Sequence, residues 1–185
     1  MLIVMGCNAK GHIMIRISIL AIALFCAMTF GAPTGKADAP ISNSSGPTPD
    51  PSHIPITLPA KIAWVHVADG EDQTILFGDP NKSGIYGLLI RWAPGHFSQP
   101  HFHDEDRYAY VISGTWWVSS STHFDPAKTY PLPAGTYAED IANTVHWDGA
   151  RSGDDGPAIL ELVGMGPVKT IRVDENGAPL PSPPR

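Results

Sequence analysis

The sequence predicts an all-β domain, a sandwich or closed barrel, on three observations. Short runs of β-forming residues recur along the chain, each closed by Gly, Pro or Asp. None of the intervening stretches carries the 3.6-residue apolar period of an amphipathic helix. The runs also crowd into about 115 residues between Pro-rich flanks, enough chain for one hydrophobic core.

Taken in order, Ile62–Val67 is the first run. Thr74–Phe77 follows and stops at Gly78-Asp79-Pro80-Asn81, a turn sequence. Tyr86–Trp92 ends at Ala93-Pro94-Gly95. Pro100 suits the opening residue of a strand through His101 and His103. Tyr108–Ile112 leads into Ser113-Gly114, and Thr115–Ser119 continues beyond the turn. Thr129–Leu132 ends at Pro133-Ala134-Gly135. Tyr137–Ile141, Val145–Trp147 and Ile159–Val163 complete the set. Many short strands with turn residues between them fit a two-sheet or barrel architecture.

The flanks read differently. Lys10 and Arg16 precede an apolar run, Ile17–Phe30, and Ala37-Asp38-Ala39 has the form of a cleavage site. Residues 1–39 therefore read as an export signal peptide, with Met14 an alternative start. The run falls short of the roughly 20 apolar residues a membrane span takes, and an uncut anchor is the alternative reading. Leu24-Phe25 before Cys26 makes a poor lipoprotein signal. Both cysteines, Cys7 and Cys26, fall in this leader, so the cleaved protein would hold no disulfide and no thiolate metal site. Residues 40–59 carry six prolines with Ser, Asn and Gly and read as an extended linker. The folded domain is expected over 60–175 and a disordered tail over 176–185. The expected location is periplasmic or secreted.

After Ala39 the chain holds nine Lys and Arg against seventeen Asp and Glu, a formal charge of −8. No basic run occurs there, which argues against a nucleic-acid partner and against an anionic membrane surface.

The chemistry is concentrated between Gly95 and Gly114. His101 and His103 are two apart, and in a strand that spacing sends both imidazoles to one face, within reach of one ion. Imidazole is a common donor to Zn, Fe, Ni and Cu. His146, before Trp147-Asp148-Gly149, offers a third donor from a distant strand. The bland alternative is a polar face in solvent.

The segment resembles the first motif of the cupin superfamily, G-x5-H-x-H-x3–4-E-x6-G. Gly95, His101, His103 and Gly114 match in type and spacing, and Arg107 stands where the glutamate belongs. The second motif, G-x5-P-x-G-x2-H-x3-N, is matched at Gly135 and His146. Ile141 and Asn143 replace its Pro and Gly, and Ala150 replaces its Asn. The resemblance spans about Ile62 to Val173 and includes a group of small exported bacterial cupins. It implies a jelly-roll or double-stranded β-helix and a metal site of His101, His103 and His146 holding one divalent Fe, Zn or Mn ion. It also implies a small-molecule ligand and pairing into a homodimer through edge strands.

A guanidinium offers no lone pair to a metal, so the expected set is three neutral imidazoles. Such an ion keeps its full charge, which favours an anionic or oxygen-donor ligand. Arg107 is read as facing the pocket and clamping a carboxylate, or as a surface partner of Asp104 or Asp106. Glu161 lies in the apolar run Ala158–Val163 and faces either solvent or the interior. If interior, it is a partner for Arg107, a proton carrier or a fourth ligand. Asp148 shares the parity of His146 and reads as a turn residue or an imidazole acceptor. Tyr108 and Tyr110 are expected to pack on the face opposite Arg107, and His96 and His123 to lie in solvent. Trp116 and Trp117, being adjacent, are expected to face opposite ways. Three functions follow: a metal-dependent enzyme, dioxygenase-like or a hydrolase or isomerase; a metal or small-molecule binding module without turnover; and a metal-free structural barrel.

Overall fold

The structure, a computed structural model, describes residues 4–7, 13–16 and 49–181. The chain divides into two compact units, Met1–Asp50 and Pro51–Arg185. In the first, β1 (Val4–Cys7) pairs antiparallel with β2 (Ile13–Arg16). The apolar run 17–30, the Ala37-Asp38-Ala39 sequence and linker residues 40–48 lie outside the described residues, as do residues 182–185. Among the described residues no helix is long and apolar enough to cross a membrane.

The second unit is built of short strands. They are β3 (Val65–Ala68), β4 (Glu71–Phe77), β5 (Gly84–Trp92), β6 (His101–His103), β7 (Arg107–Ser113) and β8 (Thr115–Ser119). Next come β9 (Tyr130–Pro133), β10 (Tyr137–Asp140), β11 (Trp147–Gly149), β12 (Ala158–Gly166) and β13 (Thr170–Arg172). All pairings are antiparallel. One sheet runs β10-β7-β12-β5-β4-β3, another β11-β8-β9, and β13 pairs with β6. Isolated bridges Phe97↔Gly149 and His101↔His146 carry the ladder from β11 on to β6. The second layer therefore reads β9-β8-β11-β6-β13.

The all-β jelly roll expected from the sequence is the fold observed, with local differences. The strand expected over Thr74–Phe77 starts at Glu71, because Asp69-Gly70 forms a two-residue hairpin between Ala68 and Glu71. Gly70 takes φ of 70°, which that turn requires. A 3-10 turn at Pro59–Lys61 precedes the first strand, which begins only at Val65. The strand β13 was not anticipated. Its Thr170-Ile171-Arg172 is too short for a period to show.

Alternation sets the core. On β12, Ala158, Leu160 and Leu162 are buried; on β7, Ala109 and Val111 are. They meet Tyr86, Leu88, Ile90 and Trp92 from β5 and Trp116 from β8. Gly114 turns β7 into β8 at φ 72°, and a Cβ there would stand 2.5 Å from the Pro157 carbonyl oxygen. Tyr108 and Tyr110 do face away from Arg107, but they are exposed rather than packed. No further layer covers the outer face of the large sheet among the described residues, and Ile85, Ile112 and Met165 are exposed there too.

Leu88 is 6% exposed within this core. Leu88→Ala is expected to cost about 2–5 kcal/mol in urea unfolding, whereas Ile112→Ala on the outer face should stay within about 0.5 kcal/mol. Equal losses would show that the outer face is covered.

Candidate metal centre

The strand β6 is only His101-Phe102-His103, and alternation buries its two histidines on one side. They are 6% and 3% exposed. On one edge β6 is held by β13, with Thr170 opposite His103 and Arg172 opposite His101. On the other, His101 and His146 exchange both backbone hydrogen bonds, at 2.9 and 2.8 Å. Residues directly opposed in an antiparallel ladder project to the same face, so that exchange delivers His146 beside His101. The three rings lie with centroids 4.5–5.4 Å apart.

Each ring is oriented from its Nδ1 side. His101 Nδ1 donates to the Gln99 carbonyl at 2.7 Å. His146 Nδ1 donates to the Thr144 carbonyl at 3.1 Å. His103 Nδ1 lies 3.2 Å from Thr170 Oγ1. A carbonyl only accepts, so the first two contacts place the proton on Nδ1 and leave Nε2 with a free lone pair. His103 Nε2 is buried with no hydrogen-bond partner among the described residues. Burial first, then the neighbouring charges of His146 for His101 and of Arg107 for His103, lowers both pKa values and keeps these rings neutral. One donor atom from each of the three lies within 4.8 Å of the others. With bonds near 2.0–2.1 Å, tetrahedral coordination of a shared ion sets its nitrogens about 3.4 Å apart, so binding would draw the three rings together. An orphaned buried nitrogen among three oriented imidazoles fits a divalent transition metal.

Arg107 lines the cavity beside His101 and His103. Its partner is neither Asp104 nor Asp106 but Asp140, directly opposite on β10. Nε and Nη2 of Arg107 donate to one oxygen, Asp140 Oδ2, at 2.8 and 2.6 Å. The fork expected to clamp a substrate carboxylate is therefore already occupied. Asp104 instead accepts from the Lys169 backbone and Asp106 from that of Ala142. Sequence reading missed Asp140, whose significance lies in a pairing between residues 33 apart.

Glu161 is not brought to this centre. It lies between Leu160 and Leu162, which line the cavity, so alternation turns it to the outer face beside Tyr110. Asp148 is neither a turn residue in solvent nor an imidazole partner. It is buried, and its carboxylate accepts from Trp92 Nε1 at 3.0 Å, Trp116 Nε1 at 2.7 Å and Ser98 Oγ at 2.9 Å. Trp117 faces the other way, donating to Asp154 under the Arg151 guanidinium. His123 is exposed, whereas His96 joins the cavity lining.

The cavity measures about 700 Å³. Besides His101, His103 and Arg107 it presents a carboxyl that sequence reading passed over, Glu71. Gln73 Nε2 donates to Glu71 Oε1 at 2.6 Å. Both sit at the polar start of β4, which reads as turn rather than strand; extending the strand back to Gly70 would have placed them on one face. A second cleft of about 360 Å³ is lined by His146 and Asp140 together with Glu139 and Tyr130.

No family model matches the sequence, and no curated protein matches it. Solved structures do. The polyketide cyclase RemF from Streptomyces resistomycificus is 16% identical, with 66% of this chain and 88% of that chain covered at a TM-score of 0.52. An RmlC-like cupin protein from Ralstonia eutropha JMP134 is also 16% identical, covering 66% and 74% at 0.51. The fold is a cupin. A second Ralstonia eutropha JMP134 protein, of unknown function and cupin-like fold, is 24% identical, with 60% of this chain and 63% of that chain covered at 0.49. At these identities the likeness concerns the cupin fold alone.

Burial is the largest influence on Glu71 and raises its pKa; the Gln73 hydrogen bond partly offsets this. A carboxyl raised on folding adds stability below its unfolded value near 4.5 and loses it as pH rises through the folded value. Comparing urea unfolding at pH 4 and pH 7, Glu71→Gln should therefore gain stability relative to wild type at the higher pH. A difference that does not vary with pH would show Glu71 to be fully solvated.

Proposed function

We propose that the chain is an exported metal-dependent enzyme acting on a small anionic or oxygen-donor substrate at the three-histidine centre. The observation carrying this reading is the cluster of three imidazoles, each ring held at Nδ1, with one donor atom from each within 4.8 Å of the others. One of the Nε2 atoms there is buried without a partner among the described residues. His101, His103 and His146 would hold the ion, Fe, Zn or Mn, and it would supply Lewis acidity toward an oxygen donor of the substrate.

This chain's own residues do the rest. Arg107 and Asp140 cancel each other's charge, so neutral imidazoles leave the ion's charge for an anionic ligand. Trp92, Phe97, Leu160 and Leu162 line the cavity with apolar surface, which strengthens polar contacts made inside it. Glu71 takes the proton-carrier role first considered for Glu161, since it lines that cavity and its pKa is shifted toward neutrality. Export rests on the sequence alone: Lys10 and Arg16, the apolar run 17–30 and the A-x-A sequence after it.

Elemental analysis of the purified protein should find one transition-metal ion per chain, lost in the His101→Ala/His103→Ala variant. No metal after reconstitution with Fe, Mn and Zn would leave a barrel for organic ligands only. With metal present, oxygen uptake and product formation with a panel of β-diketones, phenols and thiol acids separate the enzyme from the second reading, a binding module. Tight ligand binding without product would favour that module.

A further inference from the structure

Asp140 is the one carboxylate at the centre whose hydrogen bonding is left half complete. Its side chain is 9% exposed. Both Arg107 contacts go to Oδ2, while Oδ1 is buried with no hydrogen-bond partner among the described residues. That free oxygen lies 3.2 Å from His146 Nδ1, close but off hydrogen-bond alignment. On the other side, Oδ2 lies 3.9 Å from His103 Nε2. The carboxylate therefore reaches two of the three histidines and the arginine.

Its origin in the ladder is informative. Arg107 occupies the place where the motif has glutamate, and Asp140 is Arg107's direct partner across β7 and β10. The negative charge is present, displaced by one strand, and a positive charge stands where it would have been. A divalent ion among the three imidazoles would feel Arg107 as a repulsive neighbour and Asp140 as an attractive one, in a poorly solvated site where neither charge is well screened.

We infer that Asp140 and Arg107 are positioning residues that set the metal affinity of the three-histidine centre in opposite directions. The His146 Nδ1–H is given to the Thr144 carbonyl, and Asp140 Oδ1, 3.2 Å from the same nitrogen, adds a negative charge that makes the ring's Nε2 a better donor. Asp140 also neutralises Arg107. Arg107 in turn holds Asp140 back from the ion through Oδ2. The inference rests on the metal-centre reading above.

The test is zinc titration of the full chain against a chromophoric chelator, for wild type, Asp140→Asn, Arg107→Gln, the double variant and His101→Ala/His103→Ala. Thermal melts of the metal-free proteins check folding. Asp140→Asn should bind zinc roughly 10- to 100-fold more weakly than wild type, and Arg107→Gln should bind it more tightly. A role confined to folding would weaken both. If Asp140→Asn alone fails to fold, the double variant replaces it, because it leaves no buried charge unpaired; it should bind roughly tenfold more weakly than Arg107→Gln. Equal affinities in the Asp140 comparison overturn the inference, and so does an Arg107→Gln protein that binds no more tightly than wild type. Wild type that binds no more zinc than the double-histidine variant overturns the metal-centre reading itself, and this inference with it.

Discussion

The geometry of the centre depends on a single pair of backbone hydrogen bonds, the reciprocal exchange between His101 and His146. Neither strand could build the site alone. The three residues of β6 carry two histidines, and β11 begins one residue after the third. The exchange fixes register, and register fixes the face: a slip of one residue would turn His146 out of the cluster. The large sheet then supplies a platform beneath. β5, β7 and β12 offer Trp92, Ala109, Val111 and Leu160 as the packed layer against which the short strands are pressed.

Two buried carboxylates show how differently the same group is used. Asp148 receives two indole N–H groups and a serine hydroxyl, and the Ser98 hydroxyl accepts its backbone N–H in return. Removing it would leave two buried indole donors unpaired, each costing about 1–3 kcal/mol. It is a structural tie between β5, β8 and β11, and it is fully satisfied. Asp140 is satisfied on one oxygen only. A half-satisfied buried carboxylate is unfavourable for stability taken alone, and it sits beside an equally unsatisfied His103 Nε2.

The fold was legible because short β-forming runs closed by Gly, Pro or Asp do become strands. Tyr86–Trp92, Tyr108–Ile112 and Ile159–Val163 all fall inside observed strands, and the Gly-to-Gly spacing around His101 and His103 located the centre. What could not be read was pairing. Arg107 and Asp140 are separated by 33 residues, and only the β7–β10 register brings them opposite each other. The same limit applies to Asp148, whose indole partners lie 56 and 32 residues away. Glu161 failed for another reason. Its parity was undecided until Leu160 and Leu162 were seen to face the cavity. Glu71 was lost because polar residues at a strand start resemble a turn.

The replacement of a ligand carboxylate by Arg107 would, in isolation, be hostile to a cation. A guanidinium is always charged and this one is 15% exposed, so solvent does little to screen it. Asp140 removes that objection, since the two form a neutral pair whose charges are 2.6 Å apart. The pair is held across antiparallel neighbours, with both side chains on the face that carries the histidines. What the centre loses is a direct oxygen ligand; what it retains is a local charge balance that still admits a divalent ion. Three neutral imidazoles around such an ion leave more of its charge, and more of its coordination positions, for a ligand entering from the cavity. On the proposed reading, arginine at position 107 would shift the centre from holding its own carboxylate toward accepting one from outside.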